Sequence, residues 1–212
     1  GTIQYHPSLL PLHRGPSSIN WPIIYGETET GLTIFWPDKG LDTGPVLMQK
    51  NAEIEPDETL GSLYFNKLYP LGVEALIESV DLVRTGNAPK IVQDESKATY
   101  EGWCKAEDVD VDWSASTSAV FNMIRGADPQ PGANTTFNGT RVSLYDASLS
   151  APSSSKPAET GQLLASGESG ITISTGDGSV NIGRLKTAGR KKVSAAEWTE
   201  SAGAKIGDSF GS

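Results

Sequence analysis

His6 and Asp42 are the residues of this chain best suited by type and setting to do chemistry. The histidine follows Thr2-Ile3-Gln4-Tyr5, a run that reads as the end of a buried strand. Pro7 and Pro11 forbid regular pairing beyond it, so His6 stands where strand gives way to loop. The aspartate lies in a glycine-bounded loop, Gly40-Leu-Asp-Thr-Gly44. Only two histidines occur in 212 residues, which makes a pair framed this way unlike a chance arrangement. An imidazole titrates near neutrality, at an ordinary pKa of about 6.5, and a nearby carboxylate can hold it protonated. Such a pair can give a proton to a leaving group, or take one from a nucleophile. His6 and Asp42 are therefore expected to face one another across a cleft, in direct or one-water contact.

The residues around the pair extend the pattern. His6-Pro-Ser-Leu-Leu-Pro11 with Arg14-Gly15 after it, and Gly40-Leu-Asp-Thr-Gly44 further on, resemble the formyltransferase family in motif and order. Those enzymes move a formyl group from 10-formyltetrahydrofolate. Within the family, the stretch His6–Lys50, with Ile19-Asn20-Trp21 and Phe35-Trp36, is most similar to the hydrolase domain of formyltetrahydrofolate dehydrogenases.

The resemblance implies acyl transfer with His6 and Asp42 catalytic. The family's asparagine, two residues before the histidine, is replaced here by Gln4. Glutamine keeps an amide donor for the oxyanion but adds a methylene, roughly 1.5 Å of reach. Ser8 contacts substrate or caps its own loop. Arg14 binds an acceptor anion or braces the loop. Gly40 and Gly44 let the Asp42 loop approach the pterin. The folate is the formyl donor. The acceptor is water, an aminoacyl-tRNA or an amino sugar. A reading of another class is a non-catalytic fragment that only dimerises.

In the family a nucleotide-fold half of roughly a hundred residues precedes the His-Pro-Ser-Leu-Leu-Pro motif. The expectation is thus an α/β fold: residues 1–95 form the C-terminal half of a Rossmann-like catalytic domain. A parallel sheet without its first strands would leave the edge near Thr2–Tyr5 open. A homodimer partner or the missing half would cover it.

The elements that must position these residues follow from pattern. A short helix over 18–25 is capped by Ser17 or Ser18. Strands run over 30–36 and 45–54. A long helix starts near Thr59, behind Pro56-Asp57-Glu58, and ends at Gly86, with Pro70 as its kink. Residues 87–105 read as a linker, poor in apolar side chains. Beyond them the character changes. A helix from Ser114 or Ser116 to Arg125 precedes short strands at 134–137 and 141–149, joined by the hairpin turn Asn138-Gly139. A Ser/Pro loop covers 150–159. Strands at 161–166, 171–175 and 179–185 and a helix at 195–201 complete the chain. Val111-Asp-Trp113, Ile124-Arg-Gly126, Pro131-Gly132, Gly176-Asp-Gly178, Lys191-Lys-Val-Ser194 and Ile206-Gly-Asp208 resemble the family's C-terminal domain. That likeness implies a small open, OB-like β-barrel over 105–212.

Composition bounds the rest. Hydrophobic residues make up 37% and charged ones 20%, which suits a globular protein. The net charge of −9 argues against a generally nucleic-acid-binding surface. Arg184, Lys186, Arg190, Lys191 and Lys192 form a local basic cluster, read as a solvated loop or a contact for a phosphate-rich partner. The single cysteine, Cys104, reads as a packed thiol and excludes both a disulfide framework and a multi-cysteine zinc site; no metal is expected. No apolar run approaches the roughly 18 residues of a membrane span, and the expected compartment is the cytoplasm. His13 and Asp38 read as exposed loop residues.

Overall fold

The computed structural model describes residues 1–150 and 159–211. The Ser/Pro loop expected over 150–159 lies outside these, apart from its ends. The chain divides into two compact units. One comprises residues 1–23 and 27–104, the other residues 24–26 and 105–212.

The first unit is built on a three-stranded sheet of β1 (Gln4–His6), β2 (Glu29–Phe35) and β3 (Val46–Glu53), with β2 in the centre. Both pairings are antiparallel, which corrects the expected parallel sheet. For β2 and β3 the reason is local: they are joined by the loop 36–45 rather than by a crossover helix, and a short connection returns the chain antiparallel. Register places Gln4 opposite Phe35 and His6 opposite Thr33. Thr33 is fully buried and ties the loop after β1 to the sheet. Its hydroxyl donates to the Ser8 carbonyl (2.7 Å) and accepts the Leu10 N–H (3.0 Å).

A helix α1 (Asn20–Tyr25) starts later than the serines promised, because Ser17 serves a turn instead: its carbonyl takes the Asn20 N–H (3.1 Å). The long helix begins as expected. Thr59 caps it, accepting the Ser62 N–H at 3.1 Å while Ser62 Oγ accepts the Thr59 N–H at 2.9 Å. It is not continuous, however. After α2 (Leu60–Ser62) comes a π-helical stretch, Leu63–Leu68, and then α3 (Tyr69–Arg84). Pro70 lacks an N–H and sits at the second residue of α3, directly after the π-helical stretch. The wider turn upstream, with Tyr69 N–H reaching Tyr64 O five residues back, takes up the disruption expected as a kink.

Helix α3 lies on the sheet by its small residues Gly72, Ala75 and Ser79. A Cβ at Gly72 would stand 2.7 Å from the Tyr5 ring. Leu32, Ile34, Leu47 and Ala75 form the core beneath it. The opposite side of the helix keeps Tyr69, Val73, Ile77 and Val80 exposed, at intervals of four, four and three. Among the described residues β1 has β2 as its strand neighbour and lies at the sheet's edge.

Residues 87–105 are not a linker. Ile91 exchanges backbone hydrogen bonds with Val46 (2.7 and 2.9 Å). Thr99 and Glu101 pair with the loop after β1: Thr99 N–H to Pro11 O, Arg14 N–H to Thr99 O, and Glu101 N–H to Arg14 O, all between 3.0 and 3.2 Å. The segment is a polar strap, held by main-chain bonds that leave no hydrophobic periodicity.

The second unit holds a six-stranded antiparallel sheet. Its strands are β4 (Ala133–Phe137), β5 (Thr140–Leu149), β6 (Leu163–Gly167), β7 (Gly170–Ser174), β8 (Ser179–Thr187) and β9 (Val193–Ser194). The order is β4-β5-β8-β7-β6, with β9 beside β8. Asn138 and Gly139 both take positive φ (49° and 72°), which the predicted tight hairpin turn requires. Helices α4 (Thr117–Gly126) and α5 (Ala195–Ala202) begin on Ser116 and Ser194 caps. Phe137, Trp198 and Phe210 pack at centroid distances of 5.0–5.7 Å. No helix among the described residues is long and apolar enough to cross a membrane.

Candidate active site

The end of β1 and the 36–45 loop bring His6 and Asp42 together. His6 Nδ1 lies 3.6 Å from Asp42 Oδ2, and both side chains are 6% exposed. His6 Nε2 is 2.9 Å from the His13 carbonyl. A carbonyl only accepts, so Nε2 carries the proton and Nδ1 is the nitrogen turned to Asp42. Burial pushes the His6 pKa below its ordinary 6.5 and outweighs the raising influence of the His13 carbonyl and of Asp42. The ring is therefore neutral at pH 7. This corrects the expectation of a histidine held protonated: desolvation wins over the carboxylate's field. A neutral Nδ1 and a carboxylate oxygen are two acceptors face to face, an arrangement ready to receive one proton between them.

Asp42 is held by backbone. Its φ is +58°, a left-handed conformation uncommon outside glycine. Gly15 N–H donates to Oδ2 (2.9 Å), and the Gln93 side-chain amide donates to the carbonyls of Asp42 (2.8 Å) and Gly44 (2.7 Å). Gly15 has φ +110° and a Cβ there would collide with the Glu101 carbonyl, so no other residue brings this N–H to the carboxylate. At Gly44 a Cβ would collide with the Trp36 carbonyl, which gives this glycine a reason inside the fold. Gly40 is exposed and its N–H donates to Asp38 Oδ1 (3.0 Å). Asp38 is also exposed, and hydrogen bonds from Thr43 and Gly40 lower its pKa.

Gln4 is exposed and, two residues before His6 on β1, shares its face of the strand. Ser8 is fully buried and donates its hydroxyl to the Leu12 carbonyl at 2.7 Å, which caps the loop. Arg14 is buried and occupied within the loop. It donates to Gln93 Oε1 (2.8 Å) and to both carboxylate oxygens of Glu95 (2.6 and 2.9 Å). The Glu95 hydrogen bonds raise its pKa further. These contacts favour bracing over anion binding.

His13 departs most from its expected place. It is 6% exposed rather than on the surface. Its Nε2 is 3.1 Å from Glu27 Oε1 and its Nδ1 3.3 Å from Glu101 Oε2. His13, Glu27, Gln93, Thr99 and Glu101 all support the pair, and none stands near it in sequence except His13. The His13-Arg14-Gly15 run was the available signal. In the second unit, Arg190 and Lys191 line a cavity of about 140 Å³ with Trp198 and Glu197, while Lys192 sits 4.0 Å over the Tyr145 ring. The Cys104 thiol is half-buried. No cluster of three metal-binding side chains occurs among the described residues.

Known proteins share this organisation. Residues 1–80 match the family model described as formyl transferase, and residues 104–203 match formyl transferase, C-terminal domain. The two ranges, in this order, span most of the chain, and the chain belongs to the formyltransferase family. It is 43% identical over 176 residues to mitochondrial 10-formyltetrahydrofolate dehydrogenase of Homo sapiens, an alignment covering 83% of this chain and 19% of that protein. It is 40% identical over 198 residues to methionyl-tRNA formyltransferase of Geobacter metallireducens, covering 93% of this chain and 62% of that protein. The chain thus spans about a fifth of the dehydrogenase and less than two thirds of the tRNA enzyme. Among solved structures, HypX from Aquifex aeolicus in complex with tetrahydrofolic acid aligns with a TM-score of 0.78 at 25% identity, covering 93% of this chain and 34% of that one. The strap residues that make the contacts described above, Ile91, Gln93, Glu95, Thr99 and Glu101, fall in the interval 81–103 that neither family model matches.

Proposed function

We propose that this chain carries the proton-transfer part of a site that moves a formyl group from 10-formyltetrahydrofolate, with water as the first acceptor. The observation that supports it is the buried His6–Asp42 contact, on a backbone strained at Asp42. Water attacks the formyl carbon and gives its proton to the His6 Nδ1–Asp42 pair. The carbonyl electrons move onto oxygen, where the Gln4 amide stands as a donor. The oxyanion collapses, the bond to N10 breaks, and N10 takes the proton back, leaving tetrahydrofolate and formic acid, which gives its remaining proton to solvent as formate. Ser8 and Arg14 hold the loop that carries His6. Gly44 keeps the Asp42 loop close to β2.

The likeness to a 10-formyltetrahydrofolate dehydrogenase supports folate as the donor, and the resemblance of His6–Lys50 to a hydrolase domain favours water as the acceptor. A second reading, an aminoacyl-tRNA acceptor, is favoured by the Arg190/Lys191 cavity and by the methionyl-tRNA formyltransferase relative. We read residues 1–95 as part of the catalytic domain and 105–212 as its C-terminal domain, an open barrel. In support, residues 207–211 run between the two edge strands: Gly211 N–H bonds Thr136 O, and Leu163 N–H bonds Asp208 O.

The test is spectrophotometric deformylation of 10-formyltetrahydrofolate by the protein at its full natural length. Asp42→Asn keeps the shape, removes the charge, and should lower kcat by about 10²–10⁴. Undiminished turnover in that variant overturns the assignment.

A further inference from the structure

The neutral His6 ring has two possible tautomers, and only one turns a lone pair toward Asp42. What selects it is the His13 carbonyl, 2.9 Å from Nε2. That carbonyl is placed by an unusual residue. His13 has φ +53°, where a side chain is disfavoured by roughly 1 kcal/mol. Three attachments hold it there. Its N–H donates to Thr99 Oγ1 at 2.8 Å. Its ring lies between the Glu27 and Glu101 carboxylates, at 3.1 and 3.3 Å. Its neighbour Arg14 is bonded to the strap on both sides, through Thr99 O and Glu101 N–H. Glu101 is itself 14% exposed, so its contact with the ring is little screened.

We propose that His13, clamped between Glu27 and Glu101, is a positioning residue that sets the tautomer of His6. The clamp holds the left-handed backbone at residue 13. That backbone aims the carbonyl at His6 Nε2, and the Nδ1 lone pair is left for the proton that chemistry delivers. The strap thereby acts on the reaction without touching substrate. The kinetic half of this proposal rests on the reading of His6 and Asp42 as the proton-transfer pair; the tautomer half does not.

Two histidines make the measurement simple. In histidine-labelled protein, two-bond ¹H–¹⁵N spectra report each ring's tautomer. One ring in the parent protein should be the Nε2–H form, and His13→Gln removes the other ring's signals and so assigns His6. In His13→Ala, and independently in Glu101→Ala, the His6 signals should move toward a tautomer mixture. Turnover should fall about tenfold in kcat with little change in KM, the worth of roughly one hydrogen bond. Glu101→Gln keeps a polar partner of the same shape and should restore much of both. Should His13→Ala fail to fold, Glu101→Ala reads the same contact from its outer side. An unchanged His6 tautomer in folded Glu101→Ala overturns the proposal, whatever its activity. A shifted tautomer with undiminished turnover supports the positioning role and overturns the assignment of the pair.

Discussion

Asp42 combines three costs at one position: a carboxylate that is 6% exposed, a left-handed backbone, and an acceptor neighbour 3.6 Å away. Gly15 N–H and the Gln93 amide offset part of these. Such a combination lowers stability at this position, which makes Asp42 the residue to test for a role in transfer. The same logic gives a pH dependence. His6 titrates below its ordinary 6.5 in the fold, so the unfolded chain binds more protons between the two values. The stability His6 contributes is therefore fully present above about pH 6.5 and is lost as pH falls through the folded value. Thermal midpoints between pH 5 and 8 should show this slope, and His6→Asn should flatten it; equal slopes in both proteins refute the shift. Gln4→Ala should cost turnover less than Asp42→Asn does, since the side chain is exposed and its amide sits one methylene further out. An equal loss would make Gln4 the principal oxyanion donor. His6 and Asp42 were legible in the sequence because residue type and flanking glycines and prolines mark them. His13 was not, because its partners Glu27 and Glu101 lie far along the chain.

At the scale of elements, most strands and the Thr59 and Ser116 caps were legible, while the start of α1 and the strap were not. Apolar alternation marks β2, and Thr59 and Ser116 mark helix starts, because each signal is local. The segment 87–105 makes its contacts with main-chain groups and polar side chains, which leave no period to read. Its importance is testable at Gln93, where Gln93→Ala would strip partners from two carbonyls in a buried setting. The loss should be about 1–3 kcal/mol of stability, measured by denaturant unfolding, with turnover falling as Asp42 moves. Gly72→Ala tests the other side of the site. An added methyl 2.7 Å from the Tyr5 ring should push β1 away from α3 and cost about 1–3 kcal/mol. Parent-like stability in that variant would mean the ring swings aside freely.

The whole molecule joins two units with separate cores. The first is aliphatic, around Leu32, Ile34 and Leu47, and the second has the aromatic group of Phe137, Trp198 and Phe210. Residues 105–212 expressed alone should thus unfold cooperatively, followed by tryptophan fluorescence; a broad, non-cooperative melt would show that the unit depends on the first. The first unit leaves Val73, Ile77 and Val80 of α3 exposed beside the edge strand β1. An apolar stripe of this kind associates. Residues 1–212 expressed alone should exceed monomer mass by light scattering, and Ile77→Lys should reduce the association. A monomer at high concentration would refute this.

The acceptor for His6 is a piece of main chain, and it has no codon of its own. No single nucleotide change can delete the His13 carbonyl; a substitution can only swing it. Saturation mutagenesis at residue 13 would therefore sort amino acids along two independent axes. Glycine and asparagine satisfy the left-handed backbone, and glutamine satisfies the carboxylates, while histidine alone meets the second demand with a ring of this size.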